Sequence, residues 1–484
     1  MSAAPPEVRG AVPRSFGAFF GSIPARTPSW VVRGALAVVA LEILALVLAG
    51  VAGPLAALGV ILLPAYAALC WIALPAAWLA TLAVVPFSME IVVPGTSSAL
   101  WVPTEPMIFV FLAIWALRGL LHGARDIPRS PILGMILLLA LIAALSAVGS
   151  RFQFLSFKAI LSTGWFVAFG FLFPLMHGGE GKFARRTLIV LGAAGLLFSV
   201  VGIVFIARHG VMRWTGNAMG RPFFPEHCTY SVFMGFALSG LLALALAARR
   251  PLARLLCFVA AAVVTLAILL SLARAAFLAL AAVFAVTLWY LLRAGRGRTV
   301  LAVVAVTVLA GLSLARFRAS SFVGLHAESI ANPGELSNLE RISRWLAAWN
   351  MARAHPLLGV GYGTYEDNYF SYRILTLQTQ EQFRRMGVHS EYFRSLGEMG
   401  WLGLLAVVAF IVLVFRQGHQ AIRGARSPAD RSLSIGLVAG FASYVVHSVF
   451  NSYGESDKVV LPFWVFTAFI SMMWWRSREG AQRS

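Results

Sequence analysis

"RRPLARLLCFVAAAVVTLAILLSLARAAFLALAAVFAVTLWYLLRAGRGR", residues 249–298, is two apolar runs held between two clusters of arginine. A bilayer core takes about 20 apolar residues per helix, and the runs near 255–271 and 275–292 approach that length with a single charge, Arg274, at their junction. Arg249, Arg250 and Arg254 precede the pair, and Arg293, Arg296 and Arg298 follow it. Basic residues concentrate on the cytoplasmic side of a membrane protein, so the stretch reads as a hairpin of two spans with Arg274 at its far tip.

Working outward, further runs lie near 31–50, 55–74, 76–93, 106–117, 131–149, 157–176, 187–207 and 228–248 before it, and 299–315, 400–416, 432–450 and 459–475 after it. That predicts an all-α, polytopic transmembrane bundle of about fourteen spans with both termini cytoplasmic. Pro86, Pro94, Pro103 and Pro106 interrupt the third and fourth runs. Charge placement nevertheless requires both, because merging 55–93 into one span would move Arg118, Arg125 and Arg129 to the far side and break the alternation downstream. With fourteen spans, 23 of the 39 basic residues fall inside.

Composition agrees: 60% hydrophobic and 12% charged residues leave too little polar surface to cover a soluble globule. The net charge of +20 is explained by anchoring against anionic lipid, and no basic-aromatic module points to nucleic acid. Cys70, Cys228 and Cys257 lack any CxxC spacing, so neither a zinc site nor a disulfide framework is expected. The first thirty residues have no apolar core of the kind a cleavable signal needs. The expected organisation is a cytoplasmic tail (1–30), spans 1–11 (31–315), a large outer loop (316–399), spans 12–14 (400–475) and a second cytoplasmic tail (476–484).

Nine of the remaining basic residues lie in that outer loop; Arg151, Lys158, Arg208, Arg213, Arg221, Arg274 and Lys458 lie at short outer loops or helix ends. Positive charge kept on the translocated side points to an anionic ligand there. Within the loop, "SNLERISRWLAAWNMARAHP" (337–356) has Ser337 and Glu340 at capping-box spacing and Leu339, Ile342, Trp345, Leu346 and Trp349 on one face. It predicts an amphipathic helix, at the membrane surface or capping the bundle, that stops at His355-Pro356. Gly359, Gly361 and Gly363 follow as GxGxG, which is not the dinucleotide fingerprint and reads as a tight turn.

Four segments in order, "GRPFFPEHCTYSVFM" (220–234), "SLARAAFLAL" (271–280), "AHPLLGVGYGTY" (354–365) and "HSEYFRSLGEMGWLGLL" (389–405), resemble the O-antigen ligase and polysaccharide polymerase superfamily. The resemblance covers about 200–450 and implies a bacterial inner-membrane enzyme that transfers glycans from undecaprenyl diphosphate, with its active site in the periplasm. It also implies roles: His389 as the catalytic histidine, Arg221 and Arg274 as diphosphate ligands, and Gly359, Gly361, Gly363 and Tyr365 as the supporting loop. Ser390 stands where asparagine is usual, and Ala273 and Ala275 flank Arg274 where serine and glycine are common.

The chemistry is coherent with that assignment. Arginine's planar fork suits the oxygens of a departing diphosphate, and a histidine, with an ordinary pKa of about 6.5, suits deprotonation of an acceptor hydroxyl. The donor's own bond supplies the driving force, so neither cofactor nor metal is expected. Glu226, Glu391 and His447 are secondary candidates. Glu391 and Glu398 are candidates to assist the base, but Glu391 is expected to point away from His389 on a solvated face. The implied partners are the lipid-linked donor, an acceptor glycan or lipid A core, membrane lipid, and a chain-length regulator or flippase. Three functions stay open: polymerase, favoured by the span count; ligase to lipid A core or protein; and transporter, disfavoured by the absence of repeated halves or paired broken helices.

Overall fold

The computed structural model describes residues 54–92, 99–123, 126–177, 181–295, 297, 299–301, 303–305, 336–374, 386–454 and 456–482. The expected span at 31–50, both tail ends, most of 299–315 and the loop residues 316–335 and 375–385 lie outside them. The chain forms two compact units, 1–68 and 69–484. Of the first, residues 54–68 are described and are helical; the second carries everything that follows.

The described helices are α1 (Pro54–Ile72), α2 (Leu74–Val84), α3 (Thr104–His122), α4 (Pro131–Val148), α5 (Gln153–His177), α6 (Gly181–His209), α7 (Arg213–Ala218), α8 (His227–Ala247), α9 (Pro251–Leu270) and α10 (Arg274–Arg293). Then come α11 (Leu336–Ala354), α12 (Tyr365–Tyr372), α13 (Glu391–Arg423), α14 (Pro428–Phe450) and α15 (Asp457–Gln482). Ten of them are long and apolar enough to cross a membrane. The protein is a multi-pass helical membrane protein, and the opening stretch forms the pair α9–α10 with Arg274 as the first residue of α10.

Burial separates a centre from a periphery. The apolar windows of α8, α15 and α14 are 94%, 89% and 72% buried, whereas those of the other candidate spans are 22–44% buried. Close approach makes this centre possible: a Cβ on Gly436 of α14 would lie 2.6 Å from the Ser239 carbonyl oxygen of α8. Between helices in lipid, such contact replaces the missing hydrophobic drive.

The arginine clusters meet at one end. Arg249, Arg254, Gly295, Gly297 and Ser427 line one cavity of about 810 Å³, and Arg476 approaches Asp430 at 3.8 Å. Successive helices alternate direction, so the turns at 149–152, 210–226, 271–273, 355–364, 386–390 and 451–454 gather at the other end.

One expectation is corrected. The apolar run 76–93 is not a single helix: α2 passes through a 3-10 turn (Val85–Phe87) into strand β1 (Met89–Val92), which pairs antiparallel with β2 (Ala99–Val102), Glu90 opposite Trp101. β-branched Ile91 and Val92 on one side and Leu100–Val102 on the other, separated in sequence by Pro, Gly and Ser, have strand chemistry that an apolar count does not distinguish from helix.

Candidate active site

Helix α13 organises this end. Its N-cap is Ser390, whose hydroxyl accepts from the Phe393 amide. Serine and asparagine cap equally well, so the departure noted at this position keeps the cap. His389 precedes it with φ 51°, a left-handed backbone that non-glycine residues adopt at a cost of about 1–2 kcal/mol. Strain of this kind collects where a side chain must be aimed.

Three charged residues on the first two turns of α13 hold three walls together. Glu391 Oε1 accepts from the amides of Tyr453 (2.6 Å) and Gly454 (3.1 Å), fixing the loop between α14 and α15. Its other oxygen pairs with Arg394 at 3.1 Å. Arg394 also approaches Glu398 at 4.0 Å, and Glu398 accepts from the Tyr365 amide at 3.2 Å. Glu391 therefore does not occupy a solvated face. Its partners come from a loop sixty residues on, which helical phase relative to His389 does not reveal.

The glycine stretch lies against the same helix. Gly359, Gly361 and Gly363 all have positive φ (67°, 122° and 74°). The amides of Val360 and Gly361 donate to the carbonyls of Gly397 (3.0 Å) and Glu398 (3.1 Å), and the Trp401 amide donates to Pro356 (2.9 Å). Between these bonds α13 breaks at Gly400, φ 64°, where a Cβ would lie 2.6 Å from the Pro356 carbonyl oxygen. The turn thus supplies partners to backbone groups that the break would otherwise leave unpaired. Tyr365 is buried, its hydroxyl donating to the Arg344 carbonyl at 2.7 Å. Burial pushes its phenol well above the ordinary range, so it stays a neutral donor.

Helix α11 stops at Ala354, next to His355, but buries a different face from the expected one. Ser343, Arg344, Ala347, Ala348 and Met351 are buried, while Ile342 and Trp349 are 38% and 41% exposed. Small residues let α11 close on α13: a Cβ on Gly397 would sit 3.3 Å from Ala348 Cα. Ile342 and Trp349 are left facing out, while Trp345 is half-buried and stacks on Phe393 of α13 at 5.1 Å.

The opposite wall is the β1–β2 hairpin. Lys458 Nζ donates to the Ser88 carbonyl and hydroxyl (both 2.8 Å), pairs with Asp457 at 3.3 Å, and lies 4.3 Å from the Trp101 ring centroid. Hairpin and α15 are pinned by a fully buried ion pair.

These walls enclose a cavity of about 390 Å³. His389, Glu226, Gly363 and Tyr365 line it, as do residues the sequence reading did not single out: Glu90, Trp101, Arg394, Asn451 and Tyr453. Glu391 and His447 do not line it; His447 is buried in α14, 3.5 Å from the Tyr453 hydroxyl. Arg221 and Arg274 are not in its lining either. They occupy neighbouring turns: a Cβ on Gly216 of α7 would lie 3.1 Å from the Ser271 carbonyl, three residues before Arg274, and Arg221 follows α7 with an exposed side chain. Burial, reinforced by nearby Arg274 and Arg344 and opposed by Cys228, lowers the pKa of Arg341 on α11. Arg274 and Arg344 thus lie near Arg341, with Arg344 also 4.0 Å from Glu340. Among the described residues no group of three or more His, Cys, Asp or Glu side chains is arranged to hold a metal ion.

No curated protein matches the chain. Residues 256–408 match the family model described as O-antigen ligase, a range that takes in Arg274, the glycine turn, His389 and Glu398 and leaves out Arg221 and Asn451. This segment, with His389 on a strained backbone above a turn that splints a helix, is therefore similar to the O-antigen ligase family over about a third of the chain.

Proposed function

We propose that the protein transfers a glycan from a polyprenyl diphosphate to an acceptor hydroxyl at the periplasmic face of a bacterial inner membrane. The observation that carries this reading is the side-by-side arrangement of a histidine-bearing polar cavity and the arginines around Arg341 at the same end of the bundle, opposite the arginine-rich end. In the proposed step His389 takes the acceptor's proton as its oxygen bonds to the anomeric carbon. The carbon–oxygen bond to the diphosphate breaks, and the polyprenyl diphosphate leaves toward Arg274 and Arg221. Electrostatic stabilisation of that charge is the arginines' contribution, and proton removal that of His389. Tyr365 and the three glycines support the geometry without touching the reacting atoms.

Two acceptors fit. The family description favours ligation, to lipid A core or to protein, while the expected fourteen spans favour polymerisation onto a second lipid-linked unit. Purified protein given lipid-linked donor and acceptor tests the transferase reading: product from wild type and none from His389→Asn supports it, and equal product from both refutes it. A deletion strain separates the acceptors, since loss of the chain-length ladder marks a polymerase and long chains left on the carrier mark a ligase.

A further inference from the structure

Asn451 ends α14 in extended conformation (φ −150°, ψ 154°), is 4% exposed and lines the cavity. Its carboxamide nitrogen has no hydrogen-bond partner among the described residues, and the same is true of the Ser456 hydroxyl, which also lines the cavity. A buried amide whose donors go unused is a cost to the fold, and one facing a cavity is a donor held for a ligand. Around it stand the carboxylates of Glu90, Glu226, Glu366 and Glu398 and the rings of Trp101 and Tyr453.

Among the described residues, the arginines and lysines nearby are already engaged or lie beyond the lining. Arg394 pairs with Glu391 and Glu398, and Lys458, behind Trp101, pairs with Asp457. Arg341 and Arg274 lie near one another outside the lining. Among the described residues the lining therefore offers four glutamates against one arginine, the amide of Asn451 and the hydroxyl of Ser456 as donors, and aromatic faces.

Resting on the glycan-transfer reading, we propose that this cavity is a sugar subsite selective for a ring without an acid group, neutral or amine-derived. Its hydroxyls donate to the glutamates, one of its oxygens accepts from Asn451 Nδ2, and its apolar face lies on Trp101 or Tyr453. A uronic acid ring would bring a carboxylate against several others, and among the described lining residues the one guanidinium, Arg394, already pairs with Glu391 and Glu398.

The test is saturation-transfer NMR on the full-length protein in detergent, with chitobiose and digalacturonic acid as probes at matched concentration. Chitobiose is expected to show contact, and digalacturonate about tenfold less. Asn451→Ala is expected to weaken chitobiose about fivefold, the loss of one hydrogen bond; Asn451→Asp, which keeps the volume but removes the donor and adds a carboxylate, should weaken it further. Glu90→Gln with Glu226→Gln should raise digalacturonate contact. Equal or stronger contact by digalacturonate in wild type overturns the proposal without reference to any variant, and so does full chitobiose contact in folded Asn451→Ala. The transfer assay separates the two readings. Sugar contact with no transfer by wild type refutes the transferase and leaves the subsite, whereas transfer with no sugar contact refutes the subsite and leaves the transferase.

Discussion

Replacing Gly359 by alanine adds one methyl group where none fits. The position has φ 67°, and the new Cβ would lie 2.5 Å from the carbonyl oxygens of both Glu398 and Gly397, with the Glu398 carbonyl carbon closer still. All three are backbone atoms of a helix and cannot rotate away. The left-handed conformation costs a non-glycine residue about 1–2 kcal/mol. Displacing the turn also strains the bonds from Val360 and Gly361 to Gly397 and Glu398, worth about 1 kcal/mol each. The expected loss is about 3–4 kcal/mol, a large fraction of the roughly 5–15 kcal/mol that holds a typical protein folded. Gly134 in α4 is the matched control: nothing lies within 4 Å of its Cβ position, so Gly134→Ala should be neutral or stabilising by up to about 1 kcal/mol. Thermal unfolding in detergent, read as monodisperse protein recovered after heating, compares the two. A Gly359→Ala protein as heat-resistant as Gly134→Ala, with wild-type glycan transfer, would refute the account of the turn as a splint.

Further outcomes test the chemistry and the topology. His389→Asn keeps a residue that tolerates φ 51°, so it should fold normally in size-exclusion chromatography while transfer falls by about 10²- to 10⁴-fold; retained activity would exclude His389 as the base. Arg274→Lys and Arg221→Lys keep charge and lose the bidentate fork, and each should lower transfer in a protein that inserts normally. Tyr365→Phe removes the bond to the Arg344 carbonyl and should cost about 1 kcal/mol in unfolding with transfer chemistry unchanged. Reporter tags at 126 and 426 should read cytoplasm and a tag at 454 periplasm; a cytoplasmic signal at 454 would put the cavity on the wrong side for the proposed donor.

The helices were legible because the bilayer imposes length on apolar runs. Arg274 at the tip of α9–α10 is the plainest case. The β1–β2 hairpin was not legible, since Glu90-Ile91-Val92 continues an apolar run whose shape is decided by pairing with Leu100 and Trp101 and by the Lys458–Asp457 pair beyond. For α11 the residue spacing gave the helix and its stop, but large apolar residues were weighted over small ones. What close helix packing selects is Ala347 and Ala348. His389 and the glycines stood out as a pattern. Asn451 did not, because "NSYGES" reads as an ordinary polar loop, and only burial without a partner gives its amide a meaning.

The pairing of 356–361 with 397–401 also fixes a length. Three backbone bonds tie residues 356, 360 and 361 to 401, 397 and 398, so both segments must keep their residue count between those ties. One inserted residue in the turn would slide the partners by up to about 3.3 Å, and one in the helix would shift them by about 1.5 Å and rotate them by about 100°, bringing a side chain to a place now filled by a carbonyl. Descendants of this chain can therefore exchange side chains around the turn far more readily than they can gain or lose a residue within it.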